Sequence, residues 1–205
     1  MKMPHCLNFL PAASWCLGML LIAGCGSQTV TSELPVAGRI YPPDRMLIHR
    51  FQVIPQGTEY GVAPVKQSAD EVRVGRALAD AIANNLVSEL SARGVKAALA
   101  KEDAPPEENT IWIFGRFMHA ESPQSSNVVG GYVFGDPLRA RVMVFQGSGS
   151  SLQFIAQADT ATATSLRAGM APAAEKAAVE ADAKIVAKAG ADRITDFYRK
   201  HGLLK

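Results

Sequence analysis

The sequence contains little cysteine. Its 205 residues include three, Cys6, Cys16 and Cys25, and all of them lie within the first 25 positions. The chain beyond that point can form no disulfide and can offer no thiolate ligand to zinc. A small disulfide-stapled fold and a cysteine-rich metal domain are therefore excluded for the body of the protein.

Neither sign of charge is in excess. The 21 Lys and Arg residues nearly match the 19 Asp and Glu residues, which gives a formal net charge of +2. Proteins that bind nucleic acid concentrate basic residues into a stripe or patch, so no nucleic-acid partner is predicted. With 48% hydrophobic and 20% charged residues, the composition is that of a globular protein.

The chain also lacks the short motifs of common catalytic sites. It contains no H-E-x-x-H, no G-x-S-x-G and no S-x-x-K, so neither a zinc hydrolase nor a serine acyl-transfer site is indicated. Beyond residue 25 the histidines are His49, His119 and His201, which lie far apart in sequence. We predict no catalytic residue, no metal and no cofactor. An enzyme would require His49 or His119 to meet a carboxylate in a pocket of the folded chain.

No hydrophobic run reaches the roughly 20 apolar residues with which a helix crosses a membrane. Residues 7–23 are uncharged, but Pro11 and Ser14 interrupt them. They follow residues 1–6, in which Lys2 carries the one formal charge. A short basic start followed by an apolar core is typical of a secretory signal peptide, which is removed from the mature protein.

The end of this apolar segment carries a more specific signal. Residues 21–25 read Leu-Ile-Ala-Gly-Cys, which resembles the lipobox of bacterial lipoproteins. The resemblance implies cleavage before Cys25 and attachment to the membrane through several acyl chains, which anchor durably. Since residue 26 is Gly and not the Asp that retains enteric lipoproteins at the inner membrane, it further implies the outer membrane, periplasmic side. The alternatives are an ordinary secretory peptide and a buried apolar helix with an incidental cysteine.

These features predict three parts of the chain. Residues 1–24 form a lipoprotein signal peptide, residues 25–44 hold the lipidated Cys25 and a flexible tether, and residues 45–205 form a single globular domain. The tether is expected to be flexible because its residues are small and polar and follow no helical or strand period.

Hydrophobic periods predict five strands and two helices in the domain. The expected strands lie over 46–54, 95–99, 110–119, 138–146 and 151–162, and the expected helices over 68–93 and 171–201. A capping box of Ser68 and Glu71 starts the first helix, and Gly94 ends it. The glycine-rich residues 147–150 join the last two strands as a hairpin, with glycines expected at positive φ.

The element order β-α-β-β-β-β-α predicts an α/β (α+β) fold, with a mixed β-sheet of about five strands packed against two long helices. A strand, a helix and another strand favour a parallel crossover, and the later hairpin adds antiparallel strands. The nearly continuous apolar strand over 110–119 indicates burial on both faces.

Two pairs of residues are candidates for binding a ligand or partner. Tyr132 and Phe134 lie among glycines in the 128–137 segment and are candidate exposed aromatics beside a cleft. Arg139 and Arg141 alternate with apolar residues, so they share one strand face, which is either the solvent side of the sheet or a patch for an anionic ligand. Three other aromatic residues lie in the predicted strands, and they either line a pocket or fill the core. They are Trp112, Phe114 and Phe145.

The order of several segments carries a family resemblance. They are the lipobox, a strand at 46–53, the helix end Leu-Ser-Ala-Arg-Gly at 90–94, Ile-Phe-Gly-Arg-Phe at 113–117, the glycine-rich 129–135, Arg-Val-Met-Val-Phe-Gln at 141–146, Arg-Ala-Gly-Met at 167–170 and the helix over 180–188. Together they resemble the bacterial lipoprotein family called domain of unknown function 4410, over most of residues 40–201. The resemblance implies a fold and a location but no catalytic residue.

The leading functional hypothesis is a non-enzymatic envelope lipoprotein that binds another envelope component, protein or polymer, as an accessory or assembly factor. The alternative is a small-ligand-binding periplasmic module with a cleft near the glycine-rich 128–137 segment. An uncharacterised enzyme and a secretion-pore subunit are weaker alternatives.

Overall fold

A computed structural model describes residues 39–53, 69–101, 105–118, 138–148, 150–162, 165–167 and 169–204. The predictions for the signal peptide, Cys25 and the Ser68 cap lie outside the described residues. The elements are β1 (Arg45–Ile48), α1 (Ala69–Ala92), β2 (Ala97–Leu99), β3 (Thr110–Met118), β4 (Leu138–Ser148), β5 (Ser151–Thr162) and α2 (Pro172–Lys200). The predicted element order and α+β class are confirmed.

The five strands form one mixed sheet in the order β2-β1-β3-β4-β5. β1 is parallel to both β2 and β3, whereas β4 is antiparallel to both of its neighbours, β3 and β5. The helix between β1 and β2 explains their parallel pairing, because parallel neighbours need a crossover connection. β1 is shorter than predicted, although Gln52 still forms an isolated parallel bridge with Arg116.

The hydrophobic core lies between the two helices and one face of the sheet. Each helix buries the apolar stripe that its sequence predicts: Val74, Leu78, Ile82, Leu86 and Leu90 in α1, and Val179, Ala183, Val186, Gly190, Ile194 and Phe197 in α2. The helices also pack against each other. A Cβ on Gly190 would lie 3.4 Å from Val142, so the small residues of α2 let it lie close to the sheet.

Polar contacts fix the ends of the helix layer. Arg73 of α1 donates two hydrogen bonds to Glu175 of α2, at 2.7 and 2.9 Å. That hydrogen bonding lowers the pKa of Glu175.

At the other end of the helix layer, Arg93 donates to Asp192 at 2.5 Å and to Glu89 at 2.6 Å. Burial alone would raise the pKa of Asp192, but hydrogen bonds from Lys188 and Arg93 outweigh it and lower that pKa.

Gly147 does not have the turn conformation expected of it. It lies inside β4 opposite Leu152, and the described glycines with positive φ are Gly94, Gly169 and Gly202. A Cβ at Gly147 would lie 1.9 Å from the carbonyl oxygen of Glu107. Glycine is therefore needed here for close backbone approach and not for a left-handed turn.

Candidate functional site

The candidate site is the face of the sheet that points away from the helices, which we call the outer face. In β4, Leu138, Ala140, Val142 and Val144 are buried on the helix side, so the residues between them point to the outer face. Those residues are Arg139, Arg141, Met143 and Phe145. The predicted common face of Arg139 and Arg141 is thus confirmed, and it is the side without helices.

Stacked aromatic rings cross the outer face from β1 to β5. The His49 ring, just after β1, lies 4.3 Å from Phe114 and 5.3 Å from Trp112 between ring centroids, and both pairs are stacked. Phe145 then meets Phe114 and Phe154 edge to face, each at 5.4 Å. Such arrangements contribute beyond simple burial of area. We call these five residues the aromatic ladder.

Burial differs along the ladder. Trp112 is 2% exposed, whereas His49, Phe114, Phe145 and Phe154 are half-buried. The sequence leaves open whether Trp112, Phe114 and Phe145 belong to the core or line a pocket. Trp112 is buried, and the two phenylalanines retain some exposed ring surface on the face opposite the main core.

His49 is a neutral member of the ladder. Its burial lowers the pKa of its imidazole. Neither His49 Nε2 nor Trp112 Nε1 has a hydrogen-bond partner within the described structure.

Arginines continue the outer face beyond the ladder. Arg116 of β3 lies directly opposite Arg141 of β4 in the strand register, and Arg139 is exposed two positions further along β4. Arg141 donates two hydrogen bonds to Asp159 of β5, at 2.6 and 2.7 Å. Three guanidinium groups therefore share this end of the face with Asp159, and we call them the arginine end.

The structure describes two of the four residues predicted to bind a ligand or partner. Arg139 and Arg141 lie on the same face as the half-buried aromatics. Tyr132 and Phe134, proposed beside a cleft near 128–137, lie outside the described residues, as does His119. Phe154 and Asp159 are not among the predicted binding residues, because only the β4–β5 register places them opposite Phe145 and Arg141.

No group of three or more His, Cys, Asp or Glu side chains is placed to hold a metal among the residues that the structure describes. Within those same residues, neither helix is both long enough and apolar enough to span a membrane. The outer face itself presents flat apolar rings, a neutral imidazole and cationic guanidinium groups.

Comparison with known proteins yields structural similarity alone. No family model matches the chain, and no curated protein matches it. It is similar to the crystal structure of protein XCC0632 from Xanthomonas campestris, of family DUF330, at 13% identity and a TM-score of 0.43, over 84% of this chain and 96% of that one. It is also similar to a PelC dodecamer from Paraburkholderia phytofirmans, at 8% identity and a TM-score of 0.36, over 80% and 97% of the two chains. At these values neither structure assigns a family or a function to this chain.

Proposed function

We propose that the protein is a non-enzymatic envelope lipoprotein whose outer face binds another component of the bacterial envelope. Acyl chains on Cys25 anchor it to the outer membrane, and the domain faces the periplasm. The observation that carries the binding part of the proposal is the joining of the aromatic ladder and the arginine end on the one sheet face that the helices leave uncovered.

The chemistry of this face supports recognition of a partner that is both flat or apolar and anionic. Half-buried aromatic rings offer contact area at a low entropic cost, because an aromatic side chain has few rotatable bonds. Guanidinium groups recognise carboxylate and phosphate through paired hydrogen bonds. Since the whole chain carries a formal charge of only +2, the partner is selected by this local surface and not by long-range attraction.

The anchoring part of the proposal rests on the sequence. The lipobox-like residues 21–25 support acylation of Cys25. Metabolic labelling with a fatty acid tests it directly: the protein should be labelled and recovered with outer membranes, and Cys25→Ser should lose both properties. Labelling that persists in Cys25→Ser would contradict the assignment.

The binding part is tested by capture from chemically crosslinked envelopes. The wild-type protein should retain one component at a fixed ratio, and the Arg139→Gln/Arg141→Gln double variant should retain much less of it. Arg76→Gln/Lys184→Gln is the matched control, because it removes two exposed cations from the helices. Recovery of only the most abundant outer-membrane proteins, in equal amounts from all three forms, would contradict the proposal.

A further inference from the structure

A second concave site lies on the helix side of the sheet, away from the outer face. It is a cleft between the C-terminal half of α2 and the strands β4 and β5, and we call it the α2 cleft. Its apolar walls come from Val142, Val144, Ala156, Ala158, Ile194 and Phe197. It has no part in the function proposed above, because its walls are on the opposite side of the sheet from the aromatic ladder.

The volume of the α2 cleft limits what it can hold. It encloses about 90 Å³, which is below the roughly 300 Å³ of an ordinary small-molecule pocket. Each enclosed water needs roughly 15 Å³, so the cleft has room for about six waters. Water gains little against an apolar wall, whereas the burial of methylene groups there is favourable. The space therefore suits part of a single alkyl chain and is too small for a two-chain lipid.

The charges at the mouth of the cleft distinguish between alkyl ligands. Arg193, Asp196 and Lys200 line it together with the apolar residues. Asp196 forms an ion pair with Arg199, with 3.5 Å between the guanidinium nitrogen and the carboxylate oxygen. Arg193 is half-buried, and it has no ion pair within the part of the chain that the structure describes. The mouth thus presents the Arg193 guanidinium, which can donate hydrogen bonds to an anionic group.

We propose that the α2 cleft binds a single-chain anionic amphiphile, with its alkyl chain between α2 and the strands and its carboxylate or phosphate head on Arg193. The complementary charge at the mouth and the apolar walls select this ligand together. A neutral or cationic amphiphile would leave Arg193 without a counter-ion or bring a like charge next to it.

Dodecanoate is the probe, used below its aggregation concentration. The protein is produced from residue 25 onward with Cys25→Ser, so that no acyl chain of its own competes. Binding is followed by nuclear magnetic resonance of the Ala156, Ala158 and Ile194 methyl groups. The expected result is saturable shifts of these methyl signals by dodecanoate. Dodecyl phosphate distinguishes a phosphate head from a carboxylate, and dodecyltrimethylammonium should cause much weaker shifts.

Reversing one charge provides the decisive variant. Arg193→Glu should weaken dodecanoate binding about tenfold and strengthen dodecyltrimethylammonium binding, whereas Arg76→Glu, at an exposed position on α1, should change neither. Ala158→Leu should fill the cleft and abolish binding, and circular dichroism checks that this variant is folded. The Arg193→Glu variant keeps the test valid if Ala158→Leu does not fold.

Three results would overturn the proposal. The first is an absence of methyl shifts with both anionic amphiphiles, and the second is binding that Arg193→Glu leaves unchanged. The third is a response confined to the backbone amides along the edge strand β5, which would indicate a site for an added peptide strand instead. Each of these outcomes can occur without affecting the outer-face proposal.

Discussion

Arg141 of β4 and Asp159 of β5 form a two-pronged ion pair across the outer face of the sheet, with N–O distances of 2.6 and 2.7 Å. The side chains are 21% and 28% exposed, so the pair is partly shielded from water. It orients the Arg141 guanidinium within the arginine end and occupies part of its hydrogen-bonding capacity. Asp159 therefore links β5 to β4, and in the function proposed above it competes with an anionic partner for Arg141.

Removing the Asp159 charge should separate these two effects. Asp159→Asn is expected to lower the free energy of unfolding by about 0.5–1 kcal/mol, the usual range for a partly exposed ion pair. It should also increase capture of the anionic envelope component, because Arg141 becomes available. Urea denaturation of the single and double variants with Arg141→Gln measures the coupling energy, and a coupling energy of zero would show that the pair has no stabilising role.

Two glycines should respond in opposite ways to alanine. Gly147→Ala places a Cβ against the Glu107 carbonyl oxygen, and overpacking of this kind costs about 1–3 kcal/mol. Gly190→Ala meets only ordinary contacts with Val142 and Leu86 and gains about 1 kcal/mol of helix propensity. Thermal unfolding compares the variants. Equal melting temperatures for both would contradict the close approach at Gly147.

Stability should depend on pH through His49. Burial lowers the pKa of the folded imidazole below its ordinary 6.5, so the unfolded chain binds the proton more readily. The stability that His49 contributes is therefore complete above pH 6.5 and declines as the pH falls towards the folded pKa. Between about pH 7.5 and about pH 5.5, His49→Phe should lose less stability than the wild-type protein.

The matched control for this titration is Arg76→Gln, at an exposed position on α1. Its melting temperature should fall with pH as the wild-type value does. An identical decline in wild type and His49→Phe would mean that the His49 imidazole does not titrate differently in the folded and unfolded states.

The Arg93–Asp192 contact should connect the two helices energetically. Arg93→Gln removes a guanidinium whose side chain is 17% exposed and bonds to both helices. Because Asp192 is more exposed, a loss of about 1 kcal/mol is expected, decreasing as salt is added. Arg76→Gln, at an exposed position on α1, should be neutral. A salt-independent loss would indicate packing of the Arg93 stem instead of its charge.

Local patterns in the sequence predicted much of the fold. The four-residue spacing from Val74 to Leu90 is enough to fix the buried face of α1, and strand alternation placed Arg139 and Arg141 on one side of β4. These features depend on neighbours along the chain, so a single sequence contains them. The mixed sheet follows from the crossover helix and the hairpin for the same reason.

The sequence did not predict which residues of distant segments lie opposite each other. Counting back from the Ser148–Ser151 pair would place Arg141 opposite Ala158, but the register shifts between Val144 and Phe145 and brings Asp159 there instead. The close approach of Glu107 to Gly147 likewise joins segments that the sequence does not relate. Lipidation of Cys25 and the binding roles of Tyr132 and Phe134 remain predictions.

Site-specific photo-crosslinking on the outer face tests the central claim most directly. A photoreactive residue replaces Met143, between the aromatic ladder and the arginine end, or Lys184, an exposed position on α2, in cells that retain the native envelope. We expect one discrete adduct from position 143 and none from position 184. The yield of the position-143 adduct should fall sharply in Arg139→Gln/Arg141→Gln. Protease sensitivity of the adduct shows whether the partner is a protein or a polymer. Equal adducts from both positions, or an adduct unaffected by loss of the two arginines, would contradict the outer face as the binding surface.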